Sequence, residues 1–308
     1  MSTDAATVHV TVPAAEVEVA SDVLWGAGAA AIEERAASAP AGDRAVVVLV
    51  AGTRTGGDVD GLVAAVGGRW PAEVVPVDLG AALDGWRAHA RPVRVGPLVV
   101  RPPWVPGPAR APGDGAVEIV IDPGRAFGSG AHPSTRLALA ALADLVRGGE
   151  QVLDVGCGSG VLAVAALRLG AAGAVGLDTD PRAVAASRAN AARNGVADRF
   201  AVAAGDAGAG PAPVGRASCD VVVANMLLPE LVAAVRTVAA AVRPAGAVVL
   251  SGVLDEQVDA VSAASAAGGL RVDGRPRREE GWSALVLRRG GVRPPRPSGG
   301  GRDAPGEG

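Results

Sequence analysis

Residues 152–160 read VLDVGCGSG, an apolar run that enters a glycine-rich turn and is followed by a helical pattern. Glycines in such a turn let the backbone approach a ligand closely and present amide donors at the start of a helix. The spacing is GxGxG over Gly156, Gly158 and Gly160, and Val161 stands where a dinucleotide-binding GxGxxG turn has its last glycine. The turn therefore favours S-adenosylmethionine over a nicotinamide dinucleotide as its ligand.

The strand that follows this helix ends in an acidic residue. Asp178 comes about 20 residues after the turn, where a carboxylate can accept both hydrogen bonds of a ribose diol. Asp180 is the alternative acid at the same place. A glycine-rich turn alone could be a tight connection without any ligand. The acidic strand end and the alternation of strands and helices around it favour a ligand site.

Strands and helices alternate along residues 116–289. This alternation predicts a parallel sheet with helices on both faces, a doubly wound, Rossmann-like α/β domain. The predicted strands are Val117 to Ile121, Val152 to Val155, Ala174 to Leu177, Phe200 to Ala203, Val221 to Ala224, Ala247 to Ser251, Leu270 to Val272 and Ala284 to Leu287. The predicted helices are Val161 to Leu169, Pro181 to Asn194 and Leu228 to Val242.

Residues 1–80 show a different order of elements. Apolar and polar residues alternate from Val8 to Val12, and Ala14 to Gly26 carries apolar residues at helical spacing. Two strands, a second helix and a last strand follow at Ala29 to Ile32, Ala45 to Val50, Val59 to Val66 and Glu73 to Val77. The order β-α-β-β-α-β predicts a small ferredoxin-like α+β domain.

The composition changes twice along the chain. Residues 81–115 are dense in Pro, Gly, Trp and Arg, which predicts a linker with a short hairpin around Val93 to Val100. Residues 290–308 have no apolar periodicity, which predicts a disordered tail. The predicted domains are therefore residues 1–80 and residues 116–289.

Asn225 is a polar residue placed directly after the buried apolar run of a predicted strand. The carboxyl ends of strands form the ligand crevice of a doubly wound sheet, so Asn225 is expected to face a bound cofactor. Its amide oxygen could then accept a hydrogen bond from an incoming amine. The alternative is that Asn225 caps the following helix, as asparagine often does. Position alone does not decide between the two.

A glycine-rich loop, Asp122 to Thr135, precedes the first cofactor strand and opens a helix with Pro133 near its start. Its glycines and hydroxyls suit a loop folded over a polar ligand. Ser134 and Thr135 could instead be ordinary capping residues that satisfy helix amides. His132 taken alone is weak evidence of catalysis.

The composition limits the available chemistry. The chain contains no Tyr and no Lys, and all 29 basic residues are Arg. Cys157 and Cys219 are too few for a disulfide framework, and no Cys or His cluster has the spacing of zinc ligands, so no metal is expected. The net charge of -3 argues against direct nucleic-acid binding. With no signal-peptide pattern and no apolar run near the roughly 18 residues of a membrane span, we expect a cytoplasmic protein without a membrane partner.

Four motifs together resemble the PrmA family: Asp122 to Thr135, the turn Asp154 to Gly160, Leu177 to Pro181 and Ala224 to Leu227. That family comprises methyltransferases of the large-subunit ribosomal protein L11, at the base of the stalk. The similarity covers most of the chain, to about Leu287. FGxGxHPxT, GCGSG and the later AN-hydrophobe-Leu are far more specific in combination than the turn alone. Departures from the family pattern are Ser129, Ser134, Met226 and Leu228.

The resemblance implies a role for each motif. It implies S-adenosylmethionine as cofactor, with contacts from Thr135, Gly156, Asp178 and Asn225. Gly158 and Gly160 of the same turn are further candidates for cofactor binding. It also implies that a loop closes over the methionine end of the cofactor, and this loop contains Phe127, Gly128 and His132. The N-terminal domain is implied to recognise the ribosomal substrate. Our own hypothesis is that Asn225, with nearby backbone carbonyls, holds the substrate nitrogen as the catalytic residue.

The expected function is transfer of methyl groups from S-adenosylmethionine to lysine or N-terminal amino groups of ribosomal protein L11. The nearest alternative is the same chemistry on another protein lysine or on a small molecule. A nicotinamide-dependent dehydrogenase is disfavoured by Val161, and by Asn225 where hydride chemistry needs a proton donor. A protein that binds ribosomal components without chemistry is the third alternative.

Overall fold

The computed structural model describes residues 6–29, 31–36, 46–53, 59–77, 87, 89–107, 115–124, 126–209 and 214–290 of the 308-residue chain. The chain divides into two compact units, and the division falls between His89 and Ala90. Within the described ranges, no helix has the length and apolar character that crossing a bilayer requires. The predicted tail lies outside these ranges, apart from Gly290.

The first unit contains four strands and two helices among its described residues. They are β1 (Ala6–Pro13), α1 (Val17–Gly26), β2 (Ala31–Ala36), β3 (Val46–Gly52), α2 (Val59–Val66) and β4 (Ala72–Pro76), with a short 3-10 turn at Ala14–Glu16. The sheet order is β2-β3-β1-β4, and every pair is antiparallel. This is the order of a ferredoxin-like domain, so the fold predicted for this part is confirmed.

The core of the first unit follows from the alternation in β1. Val8, Val10 and Val12 are fully buried, whereas the residues between them are half-buried. Successive strand side chains point to opposite faces, so these valines form one apolar face of the sheet. They pack with Leu24 of α1 and Leu62 of α2 in one cluster.

The second unit begins with a small sheet, continues through a large one and contains five helices in its described part. Its strands are β5 (Val93–Val95), β6 (Leu98–Arg101), β7 (Val117–Val120), β8 (Gln151–Val155), β9 (Gly173–Asp178), β10 (Phe200–Ala204), β11 (Cys219–Asn225), β12 (Val242–Leu254), β13 (Leu270–Val272), β14 (Arg277–Glu279) and β15 (Trp282–Arg289). Its helices are α3 (Pro133–Leu145), α4 (Val161–Arg168), α5 (Pro181–Arg193), α6 (Leu228–Ala241) and α7 (Val258–Ala267), with short 3-10 turns at Ala197–Arg199 and Asp255–Gln257.

The large sheet has the order β10-β9-β8-β11-β12-β15-β13, and β14 also pairs with β15. The pairs from β10 through β12 are parallel, and β15 runs antiparallel to its neighbours. The order reverses next to β8, which creates a switch point where a ligand crevice forms at the carboxyl ends of the strands. The doubly wound sheet predicted from the sequence is therefore confirmed.

Helices cover both faces of this sheet. Val221 and Val223 of β11 belong to an apolar cluster that includes residues of α3, α4 and α5. Val222 and Ala224 of the same strand belong to a second cluster, with residues of α6 and α7. Because neighbouring residues of one strand enter different cores, the central strands are buried on both sides.

Part of the predicted linker is folded. β5 and β6 form the expected antiparallel hairpin, but β6 also pairs in parallel with β7 in a separate three-stranded sheet. The apolar side chains of Leu98, Val100 and Ile119 are buried in the same cluster as α3 and α4. Burial of this apolar face explains why a Pro- and Gly-rich segment is ordered from residue 90 to residue 107.

Candidate active site

The ends of three strands meet at one edge of the large sheet. Val155 of β8 pairs with Leu177 of β9 on one side and with Ala224 of β11 on the other. The next residue along each of these strands therefore lies at the same level of the carboxyl edge, and these residues are Gly156, Asp178 and Asn225. The structure thus brings together the three predicted site residues that sequence alone places on separate strands.

The turn after β8 needs its glycines for both conformation and space. Gly156, Gly158 and Gly160 have φ of 68°, 53° and 79°, in the left-handed region that favours glycine. A Cβ atom at Gly158 would lie 2.6 Å from the carbonyl oxygen of Phe127, which is backbone and cannot move aside cheaply. Gly160 is also the N-cap of α4, so the turn delivers backbone amides at a helix start.

The predicted loop is bonded directly to this turn through Ser159. The Ser159 amide donates to the Phe127 carbonyl over 2.9 Å, and the Ser159 hydroxyl donates to the Gly128 carbonyl over 2.6 Å. Ser159 is fully buried, whereas the Phe127 side chain is 57% exposed. The loop backbone is therefore held in place, while more than half of the Phe127 side chain stays exposed to solvent.

Asp178 carries a carboxylate oriented by two backbone amides. One oxygen accepts from the Gly158 amide over 2.8 Å, and the other accepts from the Asp180 amide over 2.9 Å. Each carboxylate oxygen can accept a further hydrogen bond, so two acceptor positions remain for a vicinal diol. Asp180 has a different task, because its side chain caps α5 by accepting from the Arg182 amide. The geometry therefore favours Asp178 over Asp180 as the acceptor of a ligand diol.

Asn225 does not cap the helix that follows it. The N-cap of α6 is Leu227, without a side-chain hydrogen bond. The Asn225 amide nitrogen instead donates to the Thr135 hydroxyl over 3.2 Å. Thr135 is fully buried in the first turn of α3, and Asn225 is half-buried at the end of β11. The Asn225 amide nitrogen is thus held by the buried Thr135 hydroxyl, and the amide oxygen is available as an acceptor.

His132 has a structural task that the sequence interpretation missed. It is the N-cap of α3, and its Nδ1 accepts from the Ser134 amide over 3.2 Å, so Ser134 and Thr135 are not the capping residues. Its ring packs edge-on against Phe127 at 5.5 Å and against Trp282 at 4.8 Å between ring centroids. Burial, helped by the nearby Arg136 charge, lowers the pKa of His132, which keeps Nδ1 unprotonated as a capping acceptor.

Asp154 is a further acid at the site, and the sequence gives it no role beyond its place in the turn motif. It is fully buried at the penultimate position of β8, and one oxygen accepts from the Ala163 amide of α4 over 3.1 Å. The other oxygen has no partner within the described residues. Burial raises the pKa of Asp154 to about 7, with a smaller contribution from the Asp178 charge.

Arg136 and Trp282 also belong to this site, although no local motif identifies them. The Arg136 guanidinium donates to Glu279 over 3.0 Å and to Glu280 over 2.7 Å, which fastens the β14–β15 hairpin to the start of α3. The same hairpin places Trp282 against His132. The two sides lie more than 140 residues apart along the chain, so only the folded sheet reveals the contact.

The fold and site together define a class of protein. The main path of the large sheet runs through seven strands, with β15 antiparallel to its neighbours. A GxGxG turn follows β8 at the switch point, and an acid lies at the end of β9. These are features of the class I methyltransferase fold. The chain belongs to the PrmA family, because residues 81–290 match the family described as Ribosomal protein L11 methyltransferase (PrmA).

Individual relatives agree with this assignment. A Ribosomal protein L11 methyltransferase of Cupriavidus metallidurans is 43% identical over 220 residues, which cover 69% of this chain and 64% of the relative. Its counterpart in Cupriavidus taiwanensis is 42% identical over 250 residues, 79% of this chain and 74% of the relative. The match to the first of these relatives thus spans slightly less than two thirds of its length.

A solved structure supports the fold. The crystal structure of a ribosomal protein L11 methylase from Lactobacillus delbrueckii subsp. bulgaricus superposes with a TM-score of 0.58 at 28% sequence identity. The superposition covers 65% of this chain and 100% of the other chain.

Proposed function

We propose that this protein transfers methyl groups from S-adenosylmethionine to amino groups of ribosomal protein L11, as lysine side chains or the N-terminal amine. The observation that carries the proposal is the common level of Gly156, Asp178 and Asn225 at the carboxyl edge of the sheet. This edge offers, in one place, a backbone cradle, a diol acceptor and an amine acceptor. The family assignment supports the same reaction.

The residues present fit the proposed cofactor. The left-handed turn at Gly156, Gly158 and Gly160 lets a ligand approach the backbone. The two remaining acceptor positions of Asp178 suit the ribose hydroxyls. The loop with Phe127, Gly128 and His132 rests on this turn, which supports its proposed place over the methionine end. Thr135 is buried behind Asn225, so we infer that it acts on the site through that amide.

The chain's own contribution to the reaction is positioning and desolvation. The sulfonium of S-adenosylmethionine supplies an activated methyl group when it is bound. The Asn225 oxygen accepts from the substrate amine, and this orients the nitrogen lone pair towards the methyl group. The exposed Phe127 ring excludes water at the rim. Desolvation of a substrate lysine lowers its pKa and favours the neutral nucleophile, so no general base from this chain is required.

We further propose that the first unit recognises the ribosomal substrate and that the protein works in the cytoplasm. Within our proposal, residues 1–80 form the recognition domain and residues 116–289 carry out the methyl transfer. Of the connecting segment 81–115, the part from Ala90 onward belongs to the second unit. The first unit is a separate compact unit with its own buried core, which supports a separate role in binding. Its ferredoxin-like sheet contains none of the proposed cofactor residues.

The decisive experiment combines labelled S-adenosylmethionine, the purified protein and purified ribosomal protein L11. We expect mass spectrometry to find labelled methyl groups on amino groups of L11 and far fewer of them after the same reaction time with Asn225→Ala. Label on a different protein in a whole-cell lysate, with L11 unlabelled, would assign the same chemistry to another acceptor. Thermal stabilisation by a nicotinamide cofactor, with no effect of S-adenosylmethionine, would overturn the proposal.

A further inference from the structure

Asn190 of α5 and Asn194, the C-cap residue of the same helix, pair with the backbone of the segment that leads from β7 to the site. Asn194 accepts from the Val120 amide over 2.8 Å and donates to the Val120 carbonyl over 2.7 Å. Asn190 accepts from the Asp122 amide over 2.9 Å and donates to the Asp122 carbonyl over 2.9 Å. Residues four apart lie on one face of a helix. The two side chains therefore make the backbone hydrogen bonds with Val120 and Asp122 that a neighbouring strand would otherwise make.

Asn190 makes one connection that Asn194 does not make. Its amide nitrogen also donates to the carbonyl oxygen of Ser159 over 2.9 Å. Ser159 is the residue whose amide and hydroxyl hold Phe127 and Gly128. Asn190 therefore ties the start of the loop and the glycine-rich turn to the same point of α5.

The chemistry of these contacts requires asparagine. A short side chain must accept from one backbone amide and donate to two carbonyls; Asp lacks the donors and Ser has only one. The chain contains three asparagines among its 308 residues, and all three lie around this site: Asn190, Asn194 and Asn225. Asn190 is fully buried, so water cannot replace a lost hydrogen bond easily.

We propose that Asn190 is a positioning residue that sets the affinity of the site for its S-adenosyl ligand. By fixing Asp122 and Ser159 relative to each other, it holds the Phe127 loop in register with the glycine-rich turn before the ligand arrives. A preformed site binds more tightly, because less order must be imposed on binding. This inference rests on the proposed function, since it concerns the proposed cofactor loop.

The test compares Asn190→Asp with Asn194→Asp in the full chain. Each change removes the amide donors of one asparagine and leaves the side-chain size unchanged, but only Asn190 contacts Ser159. Calorimetry measures the dissociation constant of S-adenosylmethionine, and thermal unfolding without ligand measures stability. We expect Asn190→Asp to weaken binding by about tenfold or more, as loss of buried hydrogen bonds to two carbonyls predicts. We expect Asn194→Asp to unfold at a lower temperature with a dissociation constant within about threefold of the wild type.

A pH comparison separates positioning from general damage. In Asn190→Asp, an ionised oxygen faces the carbonyls of Asp122 and Ser159, and the buried carboxyl regains one donor when it is protonated. The Arg193 guanidinium, which donates to the Asn190 oxygen over 3.2 Å, favours the ionised form, whereas burial and the two carbonyls favour the protonated one. The affinity of this variant for S-adenosylmethionine should therefore recover in part when the pH is lowered from about 8 to about 6. The wild type is measured at both pH values as the reference, because the pKa of Asp154 is about 7. A merely destabilised variant would show no such recovery.

The outcomes distinguish this inference from the proposed function. Absence of S-adenosylmethionine binding by the wild type would overturn both. Normal wild-type binding with an unchanged dissociation constant in Asn190→Asp, or an equal loss in Asn194→Asp, would overturn the role of Asn190 alone. If Asn190→Asp does not fold, Asn190→Ser keeps one donor and should weaken binding to an intermediate extent; wild-type affinity in that variant would equally refute the proposal.

Discussion

The Asn225 amide nitrogen donates to the Thr135 hydroxyl over 3.2 Å and so joins the end of β11 to the first turn of α3. This bond settles which way the amide group faces, because its nitrogen is directed into the protein. The amide oxygen lies beside Gly252, where a Cβ atom would collide first with the Met226 carbonyl oxygen and would lie 3.0 Å from the Asn225 oxygen. The absence of a side chain at Gly252 therefore leaves room at the acceptor that we propose for the substrate amine.

Asn225→Ala removes this acceptor. We expect turnover to fall by roughly a hundredfold or more, as for loss of a group that acts on the reacting atoms. The dissociation constant of S-adenosylmethionine should change far less, because the turn and Asp178 remain. Single-turnover kinetics with ribosomal protein L11 and calorimetry with the cofactor measure the two effects. Wild-type turnover would remove Asn225 from the mechanism.

Thr135→Val tests whether the orientation of Asn225 matters. Valine has nearly the same shape but cannot accept from the Asn225 amide, so the amide is free to rotate. We expect turnover to fall by about tenfold, in keeping with one lost hydrogen bond. Thr135→Ser keeps the hydroxyl and serves as the matched control. Equal activity in the valine and serine variants would show that the bond has no catalytic consequence.

Asp178→Asn should weaken cofactor binding and leave the fold intact. Both carboxylate oxygens accept from backbone amides, and an asparagine would point its own amide group at one of these donors. We expect the dissociation constant of S-adenosylmethionine to rise by about tenfold to a hundredfold, because charge-assisted hydrogen bonds are lost. Asp180→Asn is the control, because asparagine caps a helix as well as aspartate does. Calorimetry that finds both variants equal would show that the diol acceptor is misplaced.

Asp154 gives a prediction for stability and pH. Its pKa is raised to about 7 in the folded protein from an ordinary value of 3.8, so the protonated form is favoured by folding. A raised carboxyl pKa contributes stability at low pH that is lost as pH rises through about 7, and the whole change is on the order of 4 kcal/mol. Asp154→Asn cannot titrate. Urea unfolding without ligand should therefore show the variant gaining about 3 kcal/mol relative to wild type between about pH 5 and about pH 8, because about two of the roughly three pH units of the shift lie in this window; a constant difference would contradict the assigned pKa.

The sequence predicts those site residues that directly follow a strand. The turn after β8, the acid after β9 and the asparagine after β11 each follow an apolar run, and a parallel sheet must bring such ends to one edge. The large sheet and the ferredoxin-like unit can also be predicted, because their strands and helices show local patterns of apolar residues. The strand predicted at Ala29 to Ile32 instead spans Ala31–Ala36, because polar residues of β2 pair with β3 in an exposed position.

The parts that sequence does not predict depend on contacts between distant segments. Trp282 reaches His132 only because β15 inserts antiparallel beside β12. α7 was missed because its run of Val, Ala and Ser has little apolar contrast between its faces, and β14 because three residues show no alternation. The capping role of His132 was missed because Ser and Thr are the commoner caps and both follow it directly.

Gly128→Ala, compared with Gly124→Ala, tests how closely the loop must lie on the turn. Both glycines have positive φ, 103° and 54°, so both substitutions strain the backbone. Only at Gly128 would the new Cβ collide, at 2.7 Å from the Ser159 hydroxyl, whereas nothing lies within 4 Å of a Cβ at Gly124.

We expect Gly124→Ala to cost about 1 kcal/mol of stability with little change in cofactor affinity. Gly128→Ala should lower the free energy of unfolding by roughly 1–3 kcal/mol more. The new Cβ atom collides with Ser159, and the φ of this residue also lies outside the left-handed helical region. The substitution should also weaken S-adenosylmethionine binding, since the collision pushes the loop away from Ser159. Thermal unfolding and calorimetry on the two variants decide the matter. Equal losses in both would mean that backbone strain alone matters and that the loop need not touch the turn.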